Sequence, residues 1–229
     1  MEKLGFKAIH FHISRNEFSD YSFGLRDEQR SYPEKFTVGA PFRDALTFLQ
    51  PGQHAVSHLP PDYDVEDACR DFNIKVLFLF RDLRDCAISY MRFLADTGRD
   101  KSRHSDWMKA EDGPERFRKY LEVYNWFFRA AEPLLSWRNN DRAYSVQYEA
   151  LVGDFGEEVQ HGVLDMICRH LSIDTDSIDF PQILKASLNV STLTWSGNRT
   201  ERSDYWSEAC ERAFVELGGA DVNRQLGYG

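Results

Sequence analysis

Residues 75–93 read KVLFLFRDLRDCAISYMRF, and two periodicities meet inside that stretch. Lys75 to Phe80 is a continuous apolar run of strand length, the pattern of a parallel strand covered on both faces. From about Arg84 to Ala95 the apolar residues return at helical spacing, so a helix follows. Arg81 falls directly after the strand, and Ser89 lies eight residues later, near the second turn of the helix. Where a buried parallel strand gives way to a helix, free backbone N–H groups and the helix dipole favour an anion, and ligands gather at the carboxyl ends of such strands. An arginine fork and a hydroxyl can share one phosphate there. From the residues alone, a surface cluster in which Arg81, Asp82, Arg84 and Asp85 pair with one another fits equally well.

Upstream of this stretch, Lys7 to Ile13 alternates like a strand and Asn16 to Lys35 reads as a polar, turn-rich surface excursion. Pro41 to Leu49 reads as a short helix closed by Pro51-Gly52, and His54 to His58 as a short strand ending at Leu59-Pro60-Pro61. Val65 to Phe72 follows as a helix. Downstream, Thr97 to Gly113 shows no apolar period and reads as a long mobile loop, a candidate lid. Pro114 to Trp137 is the longest helical pattern, with Phe117, Tyr120, Leu121, Tyr124, Phe127 and Phe128 three and four apart. A strand at Ala143 to Gln147 and helices near Phe155 to Leu171, Ile183 to Leu188 and Tyr205 to Leu217 complete the pattern. Strands alternating with helices imply an α/β fold, a parallel sheet flanked by helices, in a single domain over residues 1–229.

Composition narrows the partners. The 229 residues are 42% hydrophobic and 14% aromatic, ample for a substantial core. With 37 acidic against 28 basic side chains the net charge is -9, which argues against a general attraction to nucleic acid or to an anionic membrane. An anion site must therefore be local. Cys69, Cys86, Cys168 and Cys210 show neither C-x-x-C pairing nor metal-ligand spacing, so they read as reduced core thiols of a cytoplasmic protein, and no metal is expected. No secretion signal precedes residue 13, no apolar run is long enough to span a membrane, and the sequons at Asn189 and Asn198 are chance matches in such a protein. Oligomeric state is not legible.

The string of apolar strand, Arg81, Arg84-Asp85, small apolar residues, Ser89-Tyr90 and Phe93 resembles the 3′-phosphate-binding segment of sulfotransferases that use 3′-phosphoadenosine 5′-phosphosulfate (PAPS), a family with a P-loop NTPase-like fold. The resemblance implies that Arg81 and Ser89 hold the 3′-phosphate of the cofactor. Val56-Ser57-His58-Leu59-Pro60, one helix earlier, is similar to the family's [KT]-x-H-[LP]-P motif, which makes His58 the candidate general base toward an acceptor hydroxyl. An imidazole suits that role. Tyr148-Glu149-Ala150-Leu151 is similar to the family's Y-E-D-L segment, whose Tyr contacts the adenine, and Leu226-Gly227-Tyr228 to its closing L-G-Y. By the same resemblance Ser187, Leu188, Gly197 and Arg199 are carried over as cofactor-binding positions.

The sequence departs from the family at three places. Val56 stands where a Lys is common, Trp195-Ser196-Gly197 stands where the family has R-K-G, with Arg199 or Arg202 as substitutes, and no P-K-[ST]-G-[TS]-T loop for the 5′-phosphosulfate occurs in the chain. Such a loop supplies N–H groups and a Lys to the leaving phosphate. Three readings stay open: the loop lies ahead of Met1, the chain binds adenosine 3′,5′-bisphosphate without catalysis as a scaffold, or Lys3, Lys7 or Arg15 rebuild the site. The expected activity is sulfuryl transfer from PAPS to a hydroxyl of a small-molecule acceptor, apolar or aromatic, lying between the Thr97 to Gly113 loop and the helix from Pro114. The expected alternative is the non-catalytic nucleotide binder.

Overall fold

Asn73 sets the entry to the strand on which the fold turns. It adopts a left-handed conformation, φ 52°, which Asn tolerates better than most residues, and the Ile74 N–H then donates to the Cys69 carbonyl at 2.8 Å. The preceding helix stops there and Val76–Phe80 can extend. Ser172, φ 59°, repeats the device 99 positions on, with the Ile173 N–H donating to the Cys168 carbonyl at 2.8 Å.

The computed structural model of the chain describes residues 7–8, 14–15, 21–22, 46–47, 49–54, 56, 58–61, 63–97, 105–176, 178–188 and 202–229. Among these the strands are β1 (Lys7–Ala8), β2 (Ser14–Arg15), β3 (Tyr21–Ser22), β4 (Gln53–His54), β5 (Val76–Phe80) and β6 (Ala143–Gln147). The helices are α1 (Tyr63–Asp71), α2 (Leu83–Thr97), α3 (Pro114–Val123), α4 (Phe127–Ala131), α5 (Tyr148–Val152), α6 (Glu157–His170), α7 (Phe180–Leu188), α8 (Glu208–Glu216) and α9 (Gly219–Leu226). Short 3₁₀ turns occupy Ser105–Lys109, Glu132–Asn139 and Arg202–Asp204. β1 and β4 pair in parallel, Lys7 opposite Gln53, while β2 and β3 pair antiparallel. β5 pairs with β6, and the Val76 N–H donates to the Arg142 carbonyl at 3.4 Å, just ahead of β6. Both strands start at that bond, so they run the same way. The α/β class with a parallel sheet is thus observed.

The chain groups into two compact units. The first comprises Met1–Phe78, Ser136–Tyr144 and Leu164–Ser187. Its core joins Leu46, the α1 residues Val65, Ala68 and Cys69, and Trp137, with Leu59, Ile74, Val76, Phe78 and Ala143 packed around them. Val65, Ala68 and Cys69 recur three and four apart, the spacing of one helix face. Trp137 is 5% exposed, and its indole N–H, which would otherwise be buried without a partner, donates to the Leu59 carbonyl at 2.8 Å.

The second unit comprises Leu79–Leu135, Ser145–Val163 and Leu188–Gly229. α2 buries Leu83, Ala87, Ile88, Met91 and Leu94 along one stripe. α3 starts at Pro114, where a missing N–H costs nothing, and buries Phe117, Tyr120 and Leu121. Phe214 of α8 is fully buried, edge-on to Phe128 with centroids 4.9 Å apart. A Cβ on Gly219 would lie 2.2 Å from Cε2 of Phe214, so the first residue of α9 can only be glycine without repacking.

Several expectations are corrected. The helix expected over Pro114 to Trp137 is three pieces: α3 ends at Val123 with Tyr124 as its C-cap, α4 is five residues long, and Glu132–Asn139 is 3₁₀. Pro133 lacks the N–H that a continuous helix requires. The mobile loop expected over Thr97 to Gly113 holds, in its described part, the Ser105–Lys109 turn with Trp107 buried at 1% exposure and its ring 5.4 Å from that of Tyr120. Arg116 donates to the Ala110 carbonyl at 2.8 and 2.9 Å and fixes the following turn. This part is packed onto α3 rather than structureless. The Lys75 to Phe80 run is not covered on both faces, because alternation sends Leu79 opposite to Phe78 and Phe80 and leaves it 54% exposed. Phe72 falls beyond α1 and is exposed, and α9 is a helix that the sequence pattern does not announce.

All four cysteines are free thiols. Burial pushes Cys69 up to about 11 and Cys86 up to about 12, and raises Cys168 as well. The fold therefore holds these thiols protonated. The stability this contributes is complete below the ordinary thiol value near 9 and is lost as pH rises through 11 to 12. Iodoacetamide at pH 8 is expected to label Cys69 and Cys168 only on unfolding; rapid labelling of the native chain at either would contradict their burial. For Gly219→Ala, a helix-propensity gain of about 1 kcal/mol opposes an overpacking cost of about 1–3 kcal/mol. A Cβ only 2.2 Å from an atom of a fully buried ring puts the cost at the upper end, so thermal denaturation should show a lowered midpoint.

Candidate functional site

β5 and β6 run the same way, and the residues that follow them meet. Arg81 follows β5, Tyr148 follows β6, and the Arg81 guanidinium lies over the Tyr148 ring, 4.6 Å from its centroid. The Asp82 N–H points to Glu149 Oε1 at 3.5 Å, and the Tyr228 hydroxyl donates to Glu149 Oε2. Tyr228 also packs edge-on against Phe80, centroids 6.3 Å apart. Burial, then the bond to Glu149, raises the Tyr228 phenol above its ordinary range, so it stays a donor. The closing Leu226-Gly227-Tyr228 thus ties both strand ends together.

The start of α2 is capped by side chains. Asp82, 6% exposed, accepts from the Arg84 N–H at 2.9 Å. Asn223 of α9, 1% exposed, accepts from the Leu83 N–H at 2.9 Å and donates to Asp82 Oδ1 at 2.7 Å. Two of the first helical N–H groups are therefore committed to protein, with a carboxylate beside them. The expectation that free N–H groups at this helix start receive an anion is corrected on that ground, and cationic side chains must supply the attraction.

Among the described residues three such side chains stand there: Arg84, Arg202 and Arg81. Arg84 donates to Glu211 at 2.8 and 3.0 Å and lies over the Phe214 ring at 4.3 Å. That hydrogen bond raises the Arg84 guanidinium further and holds the Glu211 carboxyl below its usual range. Arg202 donates to Asp82 at 2.7 Å and to Asp85 at 2.9 Å. Burial works against its charge, but Asp85 and Asp82 outweigh it. Arg81 stands 3.6 Å from Asp85, and its Nε is buried without a hydrogen-bond partner among the described residues. A buried guanidinium N–H with no acceptor is costly on its own and fits an oxyanion that would complete it.

Ser89 is half-buried on α2, one turn beyond Asp85 on the same helix face, and Asp85 is the carboxylate that stands 3.6 Å from Arg81. Tyr90, next to it, stacks on Phe127 at 5.7 Å and meets Tyr124 edge-on at 6.1 Å, with Phe93 6.3 Å away. Trp126 joins this cluster through Phe127 and is 51% exposed. His58 belongs to the first unit, where it is exposed and immediately precedes Leu59, the residue whose carbonyl Trp137 holds. Val56 is 72% exposed. Ser187 and Leu188 end α7, and their side chains lie outside the described residues, as do Gly197 and Arg199 entirely. Arg202, held open as a substitute for the family's loop arginine, is engaged with carboxylates instead. Asn223, Glu211 and Trp137 escape a reading of the sequence, because each acts through long-range polar bonds that leave no periodic trace.

No helix among the described residues is long and apolar enough to cross a membrane. Residues 14–178 match the family described as "Sulfotransferase domain", well over half of the chain. No curated protein matches it. Among solved structures it is similar to mouse sulfotransferase SULT7A1 complexed with PAP, at 16% identity and a TM-score of 0.54, over 79% of this chain and 69% of that one. A likeness at that identity speaks for the fold, and the match in sequence speaks for descent. The chain belongs to the sulfotransferase family.

Proposed function

We propose that this single sulfotransferase-like domain transfers a sulfuryl group from PAPS to a hydroxyl of a small-molecule acceptor, as a cytoplasmic enzyme. The observation that carries the reading is Arg81, stacked on Tyr148 where two parallel strands end, with a buried Nε that lacks an acceptor among the described residues. When bound, PAPS supplies the sulfuryl group and adenosine 3′,5′-bisphosphate is its product. Arg81 binds the 3′-phosphate through its fork, and Ser89 adds a hydroxyl from the next turn of α2. Tyr148, which already presents a ring face to a guanidinium, packs against the purine. Ser187, Leu188, Gly197 and Arg199 extend the nucleotide site. His58 accepts the proton of the acceptor hydroxyl through its imidazole as the oxygen attacks. The half-exposed aromatic surface at Trp126, continuous with Phe127, Tyr90 and Phe93, favours an apolar or aromatic acceptor.

A second reading, a non-catalytic binder of adenosine 3′,5′-bisphosphate, draws support from Val56. It is exposed two residues before His58, where the family commonly has a Lys. One positive charge for the leaving group is then missing.

Calorimetry with adenosine 3′,5′-bisphosphate, run beside a sulfate-transfer assay on phenolic and carbohydrate acceptors, separates the readings: binding with transfer supports the first, binding alone the second. Arg81→Ala should weaken nucleotide binding by about 10- to 100-fold, the worth of charge-assisted hydrogen bonds. Wild-type affinity in that variant would remove the phosphate assignment. His58→Ala should lower the transfer rate by about 10²- to 10⁴-fold with nucleotide affinity nearly intact.

A further inference from the structure

Arg81, Asp85, Arg202, Asp82, Arg84 and Glu211 form one chain of alternating charge within the second unit. Glu211 takes Arg84 at 2.8 Å, and Asp82 stands 3.6 Å from Arg84 and accepts from Arg202 at 2.7 Å. Asp85 accepts from Arg202 at 2.9 Å and stands 3.6 Å from Arg81. Each interior member has an opposite charge on both sides. Arg81, at one end, has a single carboxylate partner among the described residues, beyond hydrogen-bond length, and an Nε that is buried without an acceptor.

This arrangement answers a problem set by the helix start itself. Asp82 and Asp85 put two carboxylates where a phosphate is to bind, and like charges this close would oppose it. Either carboxylate could also draw in the Arg81 guanidinium and consume its donors. The shorter bonds from Arg202 take one oxygen of each carboxylate, and hydrogen bonding to a cation is stronger than the 3.6 Å contact left to Arg81. Arg202 lies 121 residues beyond Arg81 and reaches back to both.

We infer that Arg202 is a positioning residue for anion binding: by holding Asp82 and Asp85 it leaves the Arg81 guanidinium free for a nucleotide 3′-phosphate. The inference rests on the proposed role of Arg81, and the test keeps the two apart. Calorimetry with adenosine 3′,5′-bisphosphate and with adenosine 5′-monophosphate gives an affinity ratio that reports the 3′-phosphate alone. Arg202→Gln should lower that ratio by about tenfold while the monophosphate binds as to the wild type. Asp85→Asn added to Arg202→Gln should restore most of the ratio, since the competing carboxylate is gone; a merely structural Arg202 would show no such rescue. If the ratio is unchanged in Arg202→Gln but lost in Arg81→Ala, the inference fails and the Arg81 assignment stands. If the wild type shows no preference between the nucleotides, or Arg81→Ala keeps it, both fail. Should Arg202→Gln not fold, Asp85→Asn alone decides: a ratio equal to or above that of the wild type supports the inference, and a fall overturns it.

Discussion

The buried carboxylate of Asp82 is the constraint around which the second unit is arranged. A carboxylate at 6% exposure is tolerated only when its oxygens are satisfied, and here a backbone N–H, an amide and a guanidinium satisfy them. Those donors come from three places in sequence: α2 itself, the Arg202–Asp204 turn and α9. Satisfying one anion therefore fixes the position of all three. The Gly219–Phe214 contact sets how α9 approaches, and with it the place of Asn223. Removing a donor leaves a charge buried without a partner, which costs more than the lost bond.

That constraint also shifts where anion recognition can come from. A strand–helix junction commonly offers its own backbone to a phosphate. Here Asp82 and Asn223 have already taken the Leu83 and Arg84 N–H groups, while the Arg81 guanidinium lies over the Tyr148 ring with a buried Nε that has no acceptor among the described residues. An arginine stacked on an aromatic face loses little freedom on binding, because its plane is set beforehand.

The legible part of the molecule is the part encoded locally. β5, α2 and the junction between them are read from nineteen contiguous residues, so Arg81 and Ser89 fall where periodicity puts them, and the strand before Tyr148 is likewise read from its own short stretch. Trp107 shows the converse: a single buried ring in a stretch without period pins a segment that composition alone makes a loop. Pro133 is visible in the sequence, yet the aromatic spacing on both sides of it suggests a continuous helix, and the backbone obeys the missing N–H instead. Asn223, Arg202 and Trp137 each meet a partner 78 or more residues away, through a polar bond that no spacing rule registers. The parallel pairing, by contrast, follows from alternation of strands and helices alone.

Asn223 carries a consequence for how the chain is made. Its two bonds to the start of α2 close over separations of 140 and 141 residues, and the Tyr228–Glu149 bond closes over 79. During synthesis, α2 and both strands are made well before residue 223, and until then Asp82 lacks its Asn223 donor and keeps only donors nearer in sequence, such as the Arg84 N–H. The loop-closure cost of such distant contacts falls late in folding. The junction between β5 and α2 is thus completed late, although its strand and helix are among the segments the sequence specifies most locally.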